Sequence, residues 1–388
     1  MIITSLLDND LYKFTMQQAL LKLGFGAVPV EYKFHCRKEG IDFSNHIDSI
    51  KDEINSLSQN QFSKDEIDFL RSLRYITDEY ISFIKYFRFD PKEYVKVSLN
   101  NETRELDIRV KGPWFQTILF EVPILAIVSE VYSTGESTSI NDVDDSLKLI
   151  ATLKDLRKSF KFADFGTRRR KSKKWHRKII DYCKDVPNFI GTSNVHFAMT
   201  YDVTPIGTMA HEWFQAHQQL GYRLADSQKM ALENWMKVYR GDLGIALSDN
   251  INTDSFLKDF DEPIFYKLFD GVREDSEPDP IAFGYKIVNF YTTRNINPLD
   301  KTIVFSNGLT FKTAQEIHNA LIGLINTSFG IGTHLTNNCK VPALNIVLKM
   351  VSCNNQPVAK ISNSPGKGMC ESPEFVSYLK SVYNLEQN

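Results

Sequence analysis

Five short segments of this chain each contain a glycine or a hydroxyl side chain, and three of them also contain charged side chains. Each follows an apolar run typical of a β-strand, and most precede a run typical of a helix. The segments are Asp164–Arg168, Gly191–Asn194, Gly207–Glu212, Arg273–Ser276 and Ser328–Thr333. Because the carboxyl ends of parallel strands meet at one face of an α/β sheet or barrel, we expect the five segments to form one site.

The residue types in these segments favour the binding and transfer of phosphate groups. The glycines of Ser328–Thr333 expose backbone amides that bind phosphate, and Ser306–Leu309 can complete such a cradle one strand–helix unit earlier. An ordinary tight turn explains either loop alone. Arg168 and Arg273 suit anions, and His211 can transfer a proton or carry a phosphoryl group. The segments together predict chemistry on a phosphorylated sugar.

Two motifs near these segments resemble known functional motifs but lack the residue spacing that those motifs require. His211-Glu212 begins like a zinc-protease motif, but the position four residues after His211 is Gln215. His217 lies six residues away and cannot share a helix face with His211, which excludes that zinc site and leaves a partly exposed helix-start histidine as the alternative. The Gly-Lys pair in Ser364–Gly368 lacks the spacing of a nucleotide-binding P-loop.

A basic run begins at Arg168 and contains eight lysines or arginines in eleven residues, up to Lys178. We expect Arg168 to face the site and the later basic residues to remain in solvent. A nucleic-acid surface is the alternative, but the net charge of −2 argues against it. Phe165, just before this run, is either a core residue or a ring that stacks on a flat aromatic ligand.

The composition is typical of a globular protein, with 388 residues, 42% hydrophobic and 24% charged. The longest apolar stretch, Val122–Val128, is too short to cross a bilayer, and the first residues do not resemble a signal peptide. The five cysteines lack the spacing of a zinc site or a disulfide framework. We therefore expect a cytoplasmic protein without a membrane or nucleic-acid partner.

The pattern of apolar residues predicts an α/β protein. The first 135 residues mix helical and strand patterns, and from about residue 160 strand-like runs alternate with helix-like runs. These runs are Phe160–Phe165, Asn188–Thr192, Val203–Thr208, Gly244–Ser248, Tyr266–Val272, Thr302–Ser306, Thr327–Ile331 and Ala343–Met350. Eight runs in this alternation favour an irregular (β/α) barrel, with a doubly wound sheet as the alternative.

We therefore divide the chain into three regions. Residues 1–135 are expected to form an N-terminal α+β domain, and residues 136–350 the α/β barrel domain. Residues 351–388 are expected to form a small C-terminal extension, with a strand pair and a helix around Pro373–Tyr383, that packs on the N-terminal domain or the barrel.

Seven segments in order along the chain resemble the nicotinate phosphoribosyltransferase family. They are Asn9–Lys13, Asp164–Arg170, Gly191–Asn194, Gly207–Trp213, Arg273–Ser276, Ser328–Thr333 and Lys360–Lys367. The resemblance implies a homodimer with shared active sites. It also implies that nicotinate and phosphoribosyl pyrophosphate give nicotinate mononucleotide and pyrophosphate, with Mg²⁺ as cofactor and with ATP hydrolysis coupled through a phosphohistidine.

The resemblance also implies roles for individual residues. His211 would be the catalytic residue that ATP phosphorylates, and Asp275 would be catalytic and bind the metal. Tyr12 of a partner subunit and Phe165 would sandwich the pyridine ring of nicotinate, which Ser193 and Arg273 would also bind. The residues expected to bind phosphoribosyl pyrophosphate are Arg168, Arg273, Ser306, Asn307, Gly330, Gly332 and Thr333.

Ser193 bears on which pyridine is used. Relatives that use nicotinamide carry an aspartate at the matching position, where it accepts a hydrogen bond from the amide. A serine there can donate to the carboxylate of nicotinate, so the acid is favoured over the amide.

The chain departs from the family pattern after Arg273. Relatives continue with His or Gln, then Asp-Ser-Gly-Asp-Pro, where this chain has Glu274 to Pro280 with two more acids and no glycine. Asn307 and Asn363 each replace an aspartate. We hypothesise weaker or differently metal-dependent binding of phosphoribosyl pyrophosphate. A transferase for nicotinamide or quinolinate, another phosphosugar enzyme and an inactive homologue are the alternatives.

Overall fold

The computed structural model describes residues 1–135, 158–338, 342–362, 368 and 370–385. These residues form two β-sheets surrounded by helices. The strands are β1 (Pro29–Cys36), β2 (Val95–Leu99), β3 (Leu106–Pro113), β4 (Phe162–Asp164), β5 (Phe189–Thr192), β6 (Ile245–Leu247), β7 (Gly271–Glu274), β8 (Thr302–Phe305), β9 (Asn326–Ile331), β10 (Ile346–Cys353) and β11 (Gln356–Pro357).

The first sheet is antiparallel, with the strand order β11-β10-β1-β3-β2. In β1 the side chains of Val30, Tyr32 and Phe34 alternate with more exposed residues and lie in the core. This period of two is what buries one face of an antiparallel strand. Strands β2 and β3 form a hairpin, in which Leu99 pairs with Leu106.

The second sheet is parallel, with the strand order β5-β4-β9-β8-β7-β6. The edge strands β5 and β6 are joined by the irregular segment 204–208. The amide of Thr192 donates to the carbonyl of Thr204, and the hydroxyl of Thr208 donates to the carbonyl of Ile245. The segment thus closes the sheet into the irregular (β/α) barrel that the sequence predicts, and excludes the open doubly wound alternative.

Helices cover both sheets. They are α1 (Leu11–Leu23), α2 (Ile47–Ser56), α3 (Lys64–Ser72), α4 (Asp78–Ile84), α5 (Pro91–Tyr94), α6 (Trp114–Thr117), α7 (Glu121–Gly135), α8 (Lys173–Cys183), α9 (Val195–Tyr201), α10 (His211–His217), α11 (Ser227–Tyr239), α12 (Thr253–Phe260), α13 (Pro263–Leu268), α14 (Pro280–Thr292), α15 (Phe311–Leu321), α16 (Thr333–Thr336) and α17 (Pro373–Val382).

The helical stretch from Trp114 to Thr134 is apolar and long enough to cross a membrane by length and composition, but 78% of its most apolar window is buried inside the protein. Val122, Ile124 and Leu125 belong to the same hydrophobic core as the barrel strands. The stretch therefore has the burial of a core helix, and its apolar surface is covered by the rest of the chain.

Three of the predicted barrel strands are wrong, and one of them, Val203–Thr208, forms only an isolated bridge at Pro205. The run Tyr266–Val272 is divided between the end of α13 and β7, because Pro263 can begin a helix at its first position and Gly271 approaches the neighbouring strand closely. The run Ala343–Met350 overlaps β10, which pairs antiparallel with β1 in the other sheet. An apolar strand pattern does not identify the sheet to which the strand belongs.

The expected boundary at residue 350 falls inside β10. The last part of the chain packs on both domains. Strands β10 and β11 extend the first sheet, whereas Leu379 of α17 packs with Ile251 and Ala359 beside the barrel. The C-terminal extension therefore packs partly on the N-terminal domain and partly on the barrel domain. The expected start of the barrel domain at residue 136 lies outside the described residues.

Candidate active site

Two adjacent cavities open at the carboxyl ends of the barrel strands. The larger has a volume of about 270 Å³ and the smaller about 60 Å³. Phe165, Arg168 and Arg273 line both of them. A ligand group in one cavity therefore lies next to a ligand group in the other, as two reacting molecules require.

The structure brings most of the predicted site residues to these cavities. The smaller cavity also contains Tyr12 and Ser193. The larger cavity is lined by Asp275, Ser306, Asn307, Gly330, Gly332 and Thr333 in addition to the shared residues. The convergence follows from the parallel pairing of the barrel strands, which places their carboxyl ends at one face.

The larger cavity is strongly cationic. Six basic side chains line it, and Asp275 is its one carboxylate among the described residues. Four of the six were not predicted, namely Arg37, Arg169, Lys349 and Lys360. A cavity of this charge attracts a polyanion such as a pyrophosphate.

The sequence predicts that Arg168 faces the site and that the later residues of the basic run remain in solvent. The structure differs from this expectation at Arg169 and Arg170. Arg169 also lines the larger cavity. Arg170 is fully buried and forms a bidentate ion pair with Asp8, at 2.6 and 2.9 Å between nitrogen and oxygen atoms. Lys174, further along, is exposed. The three arginines are neighbours in sequence, but the turn after β4 sends them in different directions, which their spacing does not reveal.

A buried network fixes the turn that carries Phe165. Asp164 accepts hydrogen bonds from Thr192 and the amide of Gly166, and its carboxylate lies 2.6 Å from Nε2 of His176. Gly330 faces the Phe165 ring so closely that a Cβ atom there would lie 2.2 Å from it. Gly330 is therefore required for the packing of Phe165, in addition to its place in the cavity wall.

Arg273, Ser306 and Asp275 form a hydrogen-bonded group in the wall of the larger cavity. Nε of Arg273 donates to the hydroxyl of Ser306 at 2.8 Å, and this hydroxyl lies 2.8 Å from Oδ1 of Asp275. Burial by itself raises the pKa of Asp275. The electrostatic effects of Arg273, His211 and Lys360 outweigh burial and lower the pKa to about 2. Asp275 is therefore an ionised carboxylate at neutral pH.

The smaller cavity combines aromatic rings with arginines. The guanidinium carbon of Arg168 lies 5.9 Å from the Tyr12 ring centre, and that of Arg273 lies 5.8 Å from the Phe165 ring centre. The expectation that a partner subunit supplies Tyr12 differs from the structure, in which Tyr12 of the same chain lines the cavity. The helix α1 places it there, since the amide of Leu11 donates to the carbonyl of Ser193.

Ser193 interacts differently from the expectation that its hydroxyl donates to a ligand carboxylate. Its hydroxyl donates to Oδ1 of Asp10 at 2.8 Å. Asp10 lines the same cavity, and burial raises its pKa, although Arg168 opposes the shift. Asp10 lies within the Asn9–Lys13 segment, but the sequence pattern gives it no role. Its position in the cavity depends on how the N-terminal residues pack against the barrel, which residue spacing does not reveal.

His211 is buried behind the wall of the larger cavity rather than exposed at the mouth of the barrel. Its Nε2 lies 2.9 Å from Asp249 and 2.7 Å from Nζ of Lys360, which also pairs with Asp249 at 2.8 Å. Burial and the charge of Lys360 lower the pKa of His211 to about 4, although Asp249 opposes them. The ring is therefore a neutral imidazole at pH 7, the form of histidine that can attack an electrophile.

Asp249 was not predicted, although it follows the predicted strand Gly244–Ser248 directly. Burial raises its pKa, but His211 and Lys360 together hold the pKa well below the usual range. A charged residue two positions after a barrel strand is the signal that could have identified it. Lys360 has no such signal, because it comes from the C-terminal region after β11.

His211, Asp249 and Asp275 are the candidate metal ligands, with one ligand atom of each within 4.8 Å of the others. The two carboxylates suit Mg²⁺, which prefers oxygen ligands. The ammonium group of Lys360 already pairs with Asp249, whereas Oδ2 of Asp275 lies 3.8 Å from the imidazole and belongs to the larger cavity. The donor set therefore fits Mg²⁺ at Asp275, the residue expected to bind it.

The additional acids of the 274–280 loop do not line either cavity. Glu274 is buried and accepts a hydrogen bond from the amide of Glu277, and Thr253 donates to Glu277. Asp279 caps the first turn of α14 by accepting from two backbone amides. The loop therefore uses its acids to hold its own backbone, which removes the electrostatic reason for weaker anion binding.

Comparison with known proteins agrees with this geometry. The family model described as the nicotinate phosphoribosyltransferase (NAPRTase) family matches residues 160–387. The model of the N-terminal domain of the same family matches residues 7–129. Together the two models cover both the first sheet with its helices and the barrel.

Curated relatives and solved structures match over nearly the whole chain. Nicotinate phosphoribosyltransferases of Burkholderia mallei and Bordetella pertussis are 46% and 47% identical, over 100% and 99% of this chain and 98% and 96% of their own. The crystal structure of nicotinate phosphoribosyltransferase from Vibrio cholerae has a TM-score of 0.93 at 37% identity, covering 100% of this chain and 95% of that one. The chain therefore belongs to the nicotinate phosphoribosyltransferase family.

Proposed function

We propose that this chain transfers the phosphoribosyl group of phosphoribosyl pyrophosphate to the ring nitrogen of nicotinate, as a step of NAD biosynthesis. The bond between the anomeric carbon and the pyrophosphate oxygen breaks, and a carbon–nitrogen bond forms. The observation that carries the proposal is the pair of cavities that share Phe165, Arg168 and Arg273, one of them cationic and the other aromatic. The 46% identity to curated family members supports the same reaction.

The cationic cavity serves the leaving group. As the anomeric bond breaks, negative charge develops on pyrophosphate, and fixed positive charges stabilise it without reorganisation. Arg169 and Lys360 are suited to this role, while the backbone around Gly332 and Thr333 is suited to the 5′-phosphate. Mg²⁺ held by Asp275 would supply further neutralisation of the pyrophosphate.

The aromatic cavity serves the nucleophile. Tyr12 and Phe165 provide flat apolar faces for the pyridine ring, and Arg168 provides positive charge for the nicotinate carboxylate. Holding the ring nitrogen next to the anomeric carbon lowers the entropic part of the barrier. Asp10 is the one observation that favours nicotinamide, since an ionised carboxylate there would accept from an amide.

We further propose that ATP phosphorylates His211. The neutral imidazole would attack the γ-phosphorus of ATP, and ADP would leave. The contacts with Lys360 and Asp249 support this role, because Lys360 can neutralise the phosphoryl group while Asp249 orients the ring. A phosphoryl group beside Asp275 would alter the charge of the cavity wall and so couple ATP to substrate binding.

Single-turnover incubation with γ-³²P-ATP, followed by nicotinate and phosphoribosyl pyrophosphate, tests both parts. We expect acid-labile label on the wild type but not on His211→Ala, and loss of the label as nicotinate mononucleotide forms. Formation of the mononucleotide without label would remove the ATP coupling and leave the transferase. Product from nicotinamide in preference to nicotinate would instead support the role of Asp10 in amide recognition.

A cytoplasmic homodimer completes the proposal. The free thiols of the described cysteines, Cys36, Cys183, Cys353 and Cys370, support a reducing compartment. Light scattering coupled to gel filtration tests the dimer. A dimeric mass would support the proposal, whereas a monomeric mass together with full activity would exclude shared active sites.

A further inference from the structure

A buried charge cluster lies directly behind the two cavities and has no role in the chemistry described above. Lys13 of α1 is completely buried, and its Nζ lies 2.5 Å from Glu121 of α7 and 2.7 Å from Glu212 of α10. The cluster therefore joins three helices from both parts of the fold. Burying one cation and two carboxylates is costly, so a cluster that only held the helices together could be replaced by apolar packing.

One member of the cluster contacts a residue that lines the substrate cavities. Oε1 of Glu121 lies 3.6 Å from the guanidinium of Arg168, which lines both cavities. Arg168 also lies 3.7 Å from Asp10. Both distances exceed hydrogen-bond length, so the two carboxylates hold the guanidinium in place but leave its donors available.

The two carboxylates of the cluster differ in this respect. Glu121 contacts both Lys13 and Arg168. Glu212 contacts Lys13, and no ion pair joins it to Arg168 in the part of the chain that the structure describes. Both glutamates therefore pair with Lys13, but only Glu121 also contacts a residue that lines the cavities.

We infer that Lys13 is a positioning residue for substrate binding, which acts by occupying Glu121 and so keeps Arg168 free for the anionic group of the substrate. Without the positive charge of Lys13, Glu121 has Arg168 as its nearest cation. The guanidinium would then close the 3.6 Å gap and donate to Glu121 instead of to the substrate. The inference deepens the proposed function and rests on it.

Substitution of Lys13 by methionine tests this idea, because methionine keeps most of the volume and removes the charge. We expect the KM for nicotinate to rise by about tenfold, the effect of losing one charge-assisted hydrogen bond, with kcat changed less than twofold. In the double variant Lys13→Met/Glu121→Gln, the carboxylate that captures Arg168 is gone. We therefore expect its KM to return at least to the wild-type value, or below it.

The matched control is Lys13→Met/Glu212→Gln, which neutralises the other carboxylate. We expect this variant to keep the raised KM, since Glu121 remains charged. Equal rescue by both glutamine variants, or rescue by neither, would overturn the inference, because a structural defect does not distinguish the two glutamates. Wild-type enzyme that makes no product would count against the proposed function instead.

If Lys13→Met fails to fold, as judged by circular dichroism, Glu121→Gln alone gives the test. Lys13 then keeps Glu212 as its partner, and Arg168 loses the carboxylate that competes with the substrate. We expect the KM for nicotinate to fall by about threefold, a modest change typical of a partly exposed ion pair. An unchanged or higher KM would contradict the inference.

Discussion

The His211 imidazole should remain neutral well below the pH at which a histidine ordinarily takes up a proton. Burial and Lys360 lower its pKa from 6.5 to about 4. The difference corresponds to about 3 kcal/mol, since one pKa unit is worth about 1.4 kcal/mol. Between these two values the unfolded chain binds a proton at this position and the folded chain does not, so the free energy of unfolding decreases as the pH falls from 6.5 to 4.

Substitution of Lys360 by methionine removes the positive charge nearest to Nε2 and leaves Asp249 in place. We expect the pKa of His211 to rise toward its ordinary value. At pH 5 about 10% of the wild-type rings would be protonated, whereas a rise of the variant pKa to about 5 would already protonate about half of the variant rings. The assay is a titration of the histidine ring signals by NMR, with His211→Ala to assign the resonance.

The same variant should change the pH dependence of phosphorylation. A protonated imidazole has no lone pair for ATP, so the labelling rate of Lys360→Met should fall by about twofold or more between pH 8 and pH 5. The wild-type rate and that of the exposed control Lys174→Met should be flat over this range. A wild-type His211 that titrates near pH 6.5, or a variant that titrates like the wild type, would refute the role of Lys360.

Three further results are expected. Gly330→Ala should raise the KM for nicotinate by about tenfold or more, because its Cβ would displace the Phe165 ring; steady-state kinetics would show this, and an unchanged KM would contradict the packing. Glu274→His should change the KM for phosphoribosyl pyrophosphate by less than about twofold, since Glu274 faces its own loop; a large decrease would restore the hypothesis of weakened binding. Arg169→Met should raise that KM by about tenfold and Lys174→Met should not, as measured by initial rates; equal effects would exclude a specific contact of Arg169.

The barrel could be predicted from the sequence because apolar strands alternate with amphipathic helices in this region. The runs that became β5, β8 and β9 were placed within one or two residues. The run Val203–Thr208 was predicted as a strand, but it forms only an isolated bridge at Pro205, since proline cannot donate a hydrogen bond to a ladder. The same segment closes the barrel through hydrogen bonds that no local pattern contains.

The sequence predicts the site residues that directly follow barrel strands. It does not predict those that come from other parts of the chain. Phe165, Arg273 and Gly330 lie directly at strand ends, and the structure gathers them. Arg37 and Lys349 lie at the first sheet instead, so their arrival at the cavity depends on how the two domains pack. Sequence spacing carries local geometry, whereas domain packing is determined by contacts between distant residues.

The central claim is that the paired cavities join nicotinate to a phosphoribosyl group, and steady-state kinetics with competing pyridines test it most directly. The wild type should form nicotinate mononucleotide and pyrophosphate from phosphoribosyl pyrophosphate, with a kcat/KM for nicotinate at least about tenfold above those for nicotinamide and quinolinate. Arg168→Met, which removes the positive charge next to Tyr12, should reduce that preference. No product from any of the three pyridines, or an equal preference in the wild type and the variant, would contradict the account.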